Sequence, residues 1–174
     1  MSRNYSQSTI DVVGDLVRGL KVETATFLNA TYIIVAQVSI FNVSGWVRIL
    51  YLGIEAITTW SADATTIKFS YDASTPAVAV VDLCSASGAL TSLAVGKRVA
   101  VLGDALATGA LEAVNSGVSL KTNPVDIGCY GGAGVITITG AAAAQTGATA
   151  TSKMVCLYVP LSDGAYIEPV SALK

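Results

Sequence analysis

The 174-residue chain has no histidine. That removes Ser-His-Asp and Cys-His nucleophilic catalysis, which need an imidazole to take and return a proton. It also leaves a zinc site only three scattered cysteines, Cys84, Cys129 and Cys156, in no metal-like spacing. Odd in number and far apart, these thiols are expected to be free and buried, with nothing in their spacing to support a disulfide pair. The chain is therefore expected to fold in a reducing cytoplasm. Charge is scarce too: 13% of residues, with ten Lys and Arg against twelve Asp and Glu and a net charge of −2. No basic run exceeds Lys97-Arg98, so a phosphate-tracking surface, and with it a nucleic-acid partner, is not expected. The N-terminus, Met-Ser-Arg-Asn-Tyr-Ser-Gln-Ser, lacks the apolar core of a signal peptide.

Other chemistry is missing as well. There is no Walker lysine motif, and the glycines from Gly128 to Gly134 lie between two apparent strands rather than ahead of a helix, which argues against nucleotide binding. Asp63, Asp72, Asp82, Asp104, Asp126 and Asp163 read as turn or strand-end residues; a calcium site made from loop carboxylates is the alternative. A glycosidase needs two approaching carboxylates, and the few acids here stand among Thr and Ala without an aromatic cluster. Trp46 and Trp60 read as core or rim packing rather than a sugar platform. The Asn-x-Ser/Thr triplets at Asn4, Asn29 and Asn42 are short enough to arise by chance. No catalytic, cofactor-binding or metal-binding residue is assigned, and no cofactor is expected.

What the chain does have is β-forming sequence. Between Glu23 and Arg48 there is no charge, yet Asn29, Thr31, Gln37, Ser39, Asn42, Ser44 and Gly45 interrupt the run, so it does not read as a membrane span. Val, Ile, Thr, Tyr and Phe dominate it, and branched or aromatic side chains suit a pleated surface. From Tyr32 to Ile40 every even position is apolar, a period of two. The stretch from Tyr32 to Ile57 is thus expected to be two long strands forming a hairpin, with Asn42 to Gly45 as the turn.

Around this hairpin the remaining elements follow in order. Residues 1–8 read as a polar arm, and Thr9 to Leu20 as a short amphipathic helix or an irregular extended segment weakened by Gly14 and Gly19. Lys21 to Leu28 predicts a strand with Lys21 and Glu23 on one face. Thr58 to Ala64 is a loop. In Thr66 to Tyr71, Ile67, Phe69 and Tyr71 are expected inward and Thr66, Lys68 and Ser70 outward. Asp72 to Pro76 reads as a turn, Ala77 to Cys84 as a strand broken by Ser85 to Gly88, and Leu90 to Leu102 as holding one strand centred on Val99-Ala-Val101. Gly103 to Gly117 reads as a loop with at most a helical turn or two, carrying Leu106, Ala110 and Ala113 behind Asp104. Strands are then expected at Val118–Lys121, Val125–Tyr130, Val135–Thr139 and Met154–Leu161, with a turn at Gly131 to Gly134 and a long exposed low-complexity loop from Ala141 to Thr151. Asp163-Gly164 predicts a second hairpin folding Tyr166-Ile-Glu168 back on Met154 to Val159. About eight to ten short strands with little helix indicate an all-β, antiparallel β-sandwich or jelly-roll-like domain over 21–174, preceded by an arm over 1–20.

Several short motifs carry a family resemblance: Phe41-Asn-Val-Ser-Gly45, Glu55-Ala-Ile-Thr-Thr59, Ala64-Thr-Thr-Ile-Lys-Phe69, Val81-Asp-Leu-Cys84 and Val155-Cys-Leu-Tyr-Val-Pro-Leu-Ser-Asp-Gly-Ala165. As a spaced set over roughly residues 20 to 169, they resemble small β-rich virion proteins of tailed bacteriophages, of the capsid decoration (cement), auxiliary head or tail-associated kind. Leu90 to Asn123 lies outside the resemblance. It implies a β-sandwich and a non-enzymatic structural role in the virion, usually as an oligomer, with major capsid protein or other virion subunits as partners. It carries no catalytic residues to transfer. A decoration protein is the leading expectation; a tail, collar or fibre-attachment component and a carbohydrate-binding host-recognition module are the alternatives. Few charges on an apolar chain also suggest that much of the exterior is covered, most simply in a homotrimer. A free surface rich in Thr and Ser is the other way to read that composition.

Overall fold

The computed structural model describes residues 19–74, 79–84, 86–101, 132–140 and 143–174, and the backbone alone of 75, 111–114, 128–130 and 141. Its strands are β1 (Leu20–Glu23), β2 (Phe27–Leu28), β3 (Gln37–Ser44), β4 (Val47–Ala56), β5 (Thr66–Thr75), β6 (Val81–Asp82), β7 (Arg98–Val101), β8 (Leu111–Val114), β9 (Gly128–Tyr130), β10 (Ala133–Ala141), β11 (Thr151–Pro160) and β12 (Tyr166–Pro169). One helical turn, α1 (Asn29–Tyr32), follows β2, and a 3-10 turn covers Ser171–Leu173. All strand pairings among the described residues are antiparallel. The first sheet runs β1-β11-β4-β7-β8, with β2 also on β11 and β9 on β4; the second runs β12-β3-β10-β5-β6. A single apolar core lies between them. The protein is an all-β, antiparallel sandwich.

Alternation builds that core strand by strand. Met154, Cys156 and Tyr158 of β11 face inward opposite Ile54, Leu52 and Ile49 of β4; Phe69 and Tyr71 of β5 flank Ile138 and Ile136 of β10. Two bulges reset the phase where the inward set changes from even to odd or back. Ile136 and Thr137 stand opposite Phe41 and Ser39, so Ile40 is the extra residue, and both Ile40 and Phe41 are buried. Leu157 and Tyr158 stand opposite Tyr51 and Ile49, which makes Leu50 the extra residue between inward Ile49 and inward Leu52. Tyr51 lies on the other face over Gly53, where a Cβ would come within 2.5 Å of its hydroxyl. The ring fills the space a side chain at position 53 would take, and this burial raises the Tyr51 phenol above its ordinary value.

Several sequence expectations are corrected. The expected strand from Tyr32 begins only at Gln37, because α1 and a bend over 33–36 precede it. Asn42 and Ser44 belong to β3, and the turn is Gly45-Trp46, with Gly45 at φ +70°. No hairpin follows. β3 pairs with β10 and β12 while β4 pairs with β11, β7 and β9, so the chain arches across the core from one sheet to the other. Asp163-Gly164 behaves likewise: Gly164 turns at φ +70°, but β12 pairs with β3, not with β11. Asp72 to Thr75, expected as a turn, prolong β5 against β10. Of the strand expected over Ala77 to Cys84, residues 77 and 78 lie outside the described residues, and within 79–84 only Val81–Asp82 is strand. Ala113, expected in a loop or helical turn, lies in β8 against Val99 of β7. Ala133 and Gly134, expected in a turn, are the first residues of β10. Of the arm expected over 1–20, residues 1–18 lie outside the described residues and Leu20 opens β1; Asp104, Leu106, Ala110 and the strand expected at Val118–Lys121 also lie outside them. Of the strand expected at Val125–Tyr130, the described part is β9.

Candidate functional site

The two arches stack on one another and form one end of the sandwich. The Leu161 N–H donates to the Trp46 carbonyl (2.8 Å), and the Trp46 N–H donates to the Ser162 hydroxyl (3.0 Å). Tyr166 is opposite Ser44 and Ile167 opposite Val43, so the strand entering the first arch and the strand leaving the second run side by side. With its backbone satisfied internally, this end turns apolar side chains outward. Trp46 is 57% exposed, Leu161 49% and Tyr166 46%. Large apolar residues scattered singly on a surface are ordinary, whereas three, two of them aromatic, at one end of the fold make that end the candidate site.

Single apolar side chains are exposed elsewhere too (Leu28, Val35, Val80, Val81 and Val95), but the outer sheet faces carry polar networks. On the outer face of the first sheet an ion ladder crosses four strands. Lys21 and Lys153 reach Glu23 (2.6 and 3.6 Å), and Lys153 and Arg98 reach Glu55 (3.8 and 2.9 Å). The Lys21 ammonium, ahead of Lys153, holds the Glu23 carboxyl below its ordinary value. The outer face of the second sheet carries a chain of uncharged polar side chains that ends on one ion pair. Gln37 donates to the Thr137 hydroxyl (2.8 Å), Thr137 to the Ser70 carbonyl (3.3 Å) and Ser70 to Asp82 (2.9 Å), which also pairs with Lys68. Ser70 faces outward as expected and is covered there by this network. Such a face accounts for part of the low charge without any covering partner, so composition alone does not require one.

The end opposite the arches is closed by the low-complexity segment. Gln145, expected in an exposed loop, is buried and bonded on all sides. Its N–H donates to the Ile33 carbonyl (3.0 Å), its side-chain nitrogen to the Thr65 hydroxyl (2.9 Å), and its side-chain oxygen accepts from the Ser61 N–H (3.2 Å). Asp63 ties the two loops together, accepting from the Ser61 hydroxyl (2.5 Å) and from the backbone N–H and hydroxyl of Thr146 (2.8 and 2.9 Å). These bonds, that of Ser61 first, keep its carboxyl below the ordinary value. A buried polar residue within an Ala-rich run carries no periodic signal, and sequence reasoning missed it.

Among the described residues the singled-out acids are not brought together. Asp63 belongs to the loop clamp, Asp72 lies in β5, Asp82 pairs with Lys68 and Ser70, and Asp163 sits in an arch; Asp104 and Asp126 are outside the described residues. Among the described residues no group of three His, Cys, Asp or Glu could hold a metal ion, and no helix is long and apolar enough to cross a membrane. The two tryptophans separate: Trp60 is core, its indole N–H donating to the Ser152 hydroxyl (2.9 Å), whereas Trp46 projects from the arch end. Cys84 and Cys156 are buried free thiols. Comparison with family models, with curated proteins and with solved structures finds no match to this chain.

Proposed function

We propose that this chain is a non-enzymatic virion structural protein of a tailed bacteriophage, a decoration or cement subunit that binds the capsid lattice as a homo-oligomer. The observation that carries the reading is the arch end: Trp46, Leu161 and Tyr166 are exposed where two stacked arches make a stiff, internally hydrogen-bonded platform. The motif resemblance supports it independently, since the segments Phe41 to Gly45 and Val155 to Ala165 contain much of both arches. The long antiparallel strands suit a protein whose work is to hold shape. In this role each subunit contributes a modest apolar contact, and repetition over a lattice multiplies the affinity.

Copy number in purified particles, by quantitative mass spectrometry, tests the proposal. Copies in the hundreds support a head lattice. A handful to a few tens favour the tail, collar or fibre-attachment alternative. A chain found only in the particle-free pool overturns the structural reading. In that event the second reading takes over, a carbohydrate-binding module for host recognition. Its supporting observation is the exposure of Trp46 and Tyr166 at the same end, since sugars stack on exposed aromatic faces.

A further inference from the structure

Asn29, the first residue of α1, carries an orphaned side chain. The residue is 0% exposed, and neither its Oδ1 nor its Nδ2 has a hydrogen-bond partner in the protein. Flipping the amide exchanges the two atoms and changes nothing, because both lack a partner. A carboxamide offers two donor hydrogens and an acceptor oxygen, and leaving such a group dry costs the fold its full desolvation.

The backbone around this amide is tied into a closed ring. The Asn29 N–H donates to the Ala150 carbonyl (2.9 Å), and the Ile33 N–H to the Asn29 carbonyl (2.7 Å). The Gln145 N–H donates in turn to the Ile33 carbonyl (3.0 Å), and the Ala150 N–H to the Gly147 carbonyl (3.3 Å). α1 and residues 145–150 thus hold each other at both ends and shut the amide in. Register shows which way it faces. Phe27 and Asn29 are buried while Leu28 between them is exposed, and Leu28 pairs with Thr151, Phe27 with Ser152. Asn29 therefore lies on the same inner side as Phe27 and Ser152. The Ser152 hydroxyl accepts from the Trp60 indole N–H (2.9 Å) and still carries its own proton. Among the described residues eight polar side chains are buried; Asn29, Thr65, Gln145 and Ser152 belong to this end, and none of the eight is charged. An ion here would find no buried counter-charge. The group that suits the amide is small, neutral, and both donor and acceptor.

We propose that the end opposite the arches holds ordered internal water, bound by the Asn29 carboxamide behind the ring of α1 and residues 145–150. Water donates to Oδ1 and accepts from Nδ2–H. Buried waters make about three hydrogen bonds, and the Ser152 hydroxyl is a further partner that the register puts on the same side. The site gives the asparagine a purpose, since a leucine of nearly the same shape would pack there dry. It is independent of any role in a particle.

Crystals of the wild-type protein, diffracting well enough to show solvent, test the proposal. The expected result is at least one water within about 3.2 Å of Oδ1 or Nδ2, bonded also to another group of the chain and closed off from bulk solvent. Water–protein NOE spectra of protein isotope-labelled at asparagine supply the second readout. The Asn29 side-chain amide protons should give cross-peaks to water whose NOE and ROE have opposite signs, as for a molecule held far longer than surface water. Asn29→Leu identifies those peaks by removing them. A dry site, an amide turned onto a protein partner, or a molecule other than water at that position overturns the proposal. Asn29 amide protons without such a cross-peak overturn it as well. The crystal needs no variant, so it decides the matter if Asn29→Leu fails to fold.

Discussion

Gly45 and Ala165 lie so close that a Cβ on the first would come within 2.8 Å of the Cβ of the second and 2.9 Å of its Cα. This contact stacks the β3–β4 arch on the β11–β12 arch. It places Trp46 beside Leu161 and lets β12 run along β3.

The fold contains a control for this contact. Gly45 and Gly164 both adopt φ +70°, but nothing lies within 4 Å of a Cβ at Gly164. Gly164→Ala should therefore cost only the left-handed backbone penalty, about 1–2 kcal/mol. Gly45→Ala adds an overpacking cost against Ala165 and should lose about 2–4 kcal/mol in all. Urea unfolding of the two variants checks this; equal losses would mean that the arches do not pack as described.

Core placement in β5 predicts a second contrast. Phe69 is fully buried between the sheets, whereas Lys68 points outward to Asp82. Phe69→Ala should lose about 3–5 kcal/mol, and Lys68→Ala less than about 0.5 kcal/mol. Denaturant midpoints give both values, and similar losses would place the strand in the wrong register.

Which faces are buried was legible in the sequence; which strands pair was not. Ile67, Phe69 and Tyr71 alternate without interruption, and they enter the core as the period of two predicts. The Tyr32–Ile57 stretch shows the limit. A four-residue turn over Asn42 to Gly45 would pair Ile40 with Val47 and Val38 with Ile49, apolar on apolar. An arch satisfies the same residues by sending the two strands to opposite sheets. Turn residues such as Gly45 and Gly164 specify local dihedrals and leave open which sheet the next strand joins. Bulges at Ile40 and Leu50 hide further information, since each looks like a break in alternation. Exposure of Trp46 was equally hidden, because an indole serves a core and an interface alike, and only the arch distinguishes it from Trp60.

Acid should loosen the end opposite the arches. Asp63 is held below 3.8 in the fold by the Ser61 hydroxyl and by the Thr146 backbone and hydroxyl. A depressed carboxyl contributes its full stability above its unfolded value and loses it as pH falls through 3.8 toward the folded value. Wild-type urea midpoints should therefore fall more steeply between about pH 5 and pH 3 than those of Asp63→Asn, which lacks the titrating group. Parallel pH profiles would contradict the clamp.

Burial governs the thiols. It pushes Cys84 up to about 11 and raises Cys156 further, so neither forms thiolate at neutral pH. In a Cys129→Ser background, a disulfide reagent should find no fast-reacting thiol in the native protein and two after denaturation. Rapid native labelling of Cys84 or Cys156 would show that the sandwich opens locally.

The most direct test of the account is particle binding by arch-end variants. Trp46→Ser and Leu161→Ser remove exposed apolar surface without touching the core, so thermal unfolding of the isolated subunit should be nearly unchanged. Purified wild-type protein, added to particles lacking it, should sediment with them and restore head stability. The double variant should remain in the supernatant, because it loses the apolar contact that each subunit gives to the lattice. If the wild-type protein fails to bind particles, or the variant binds as well as it does, the arch end is not the working surface of this protein.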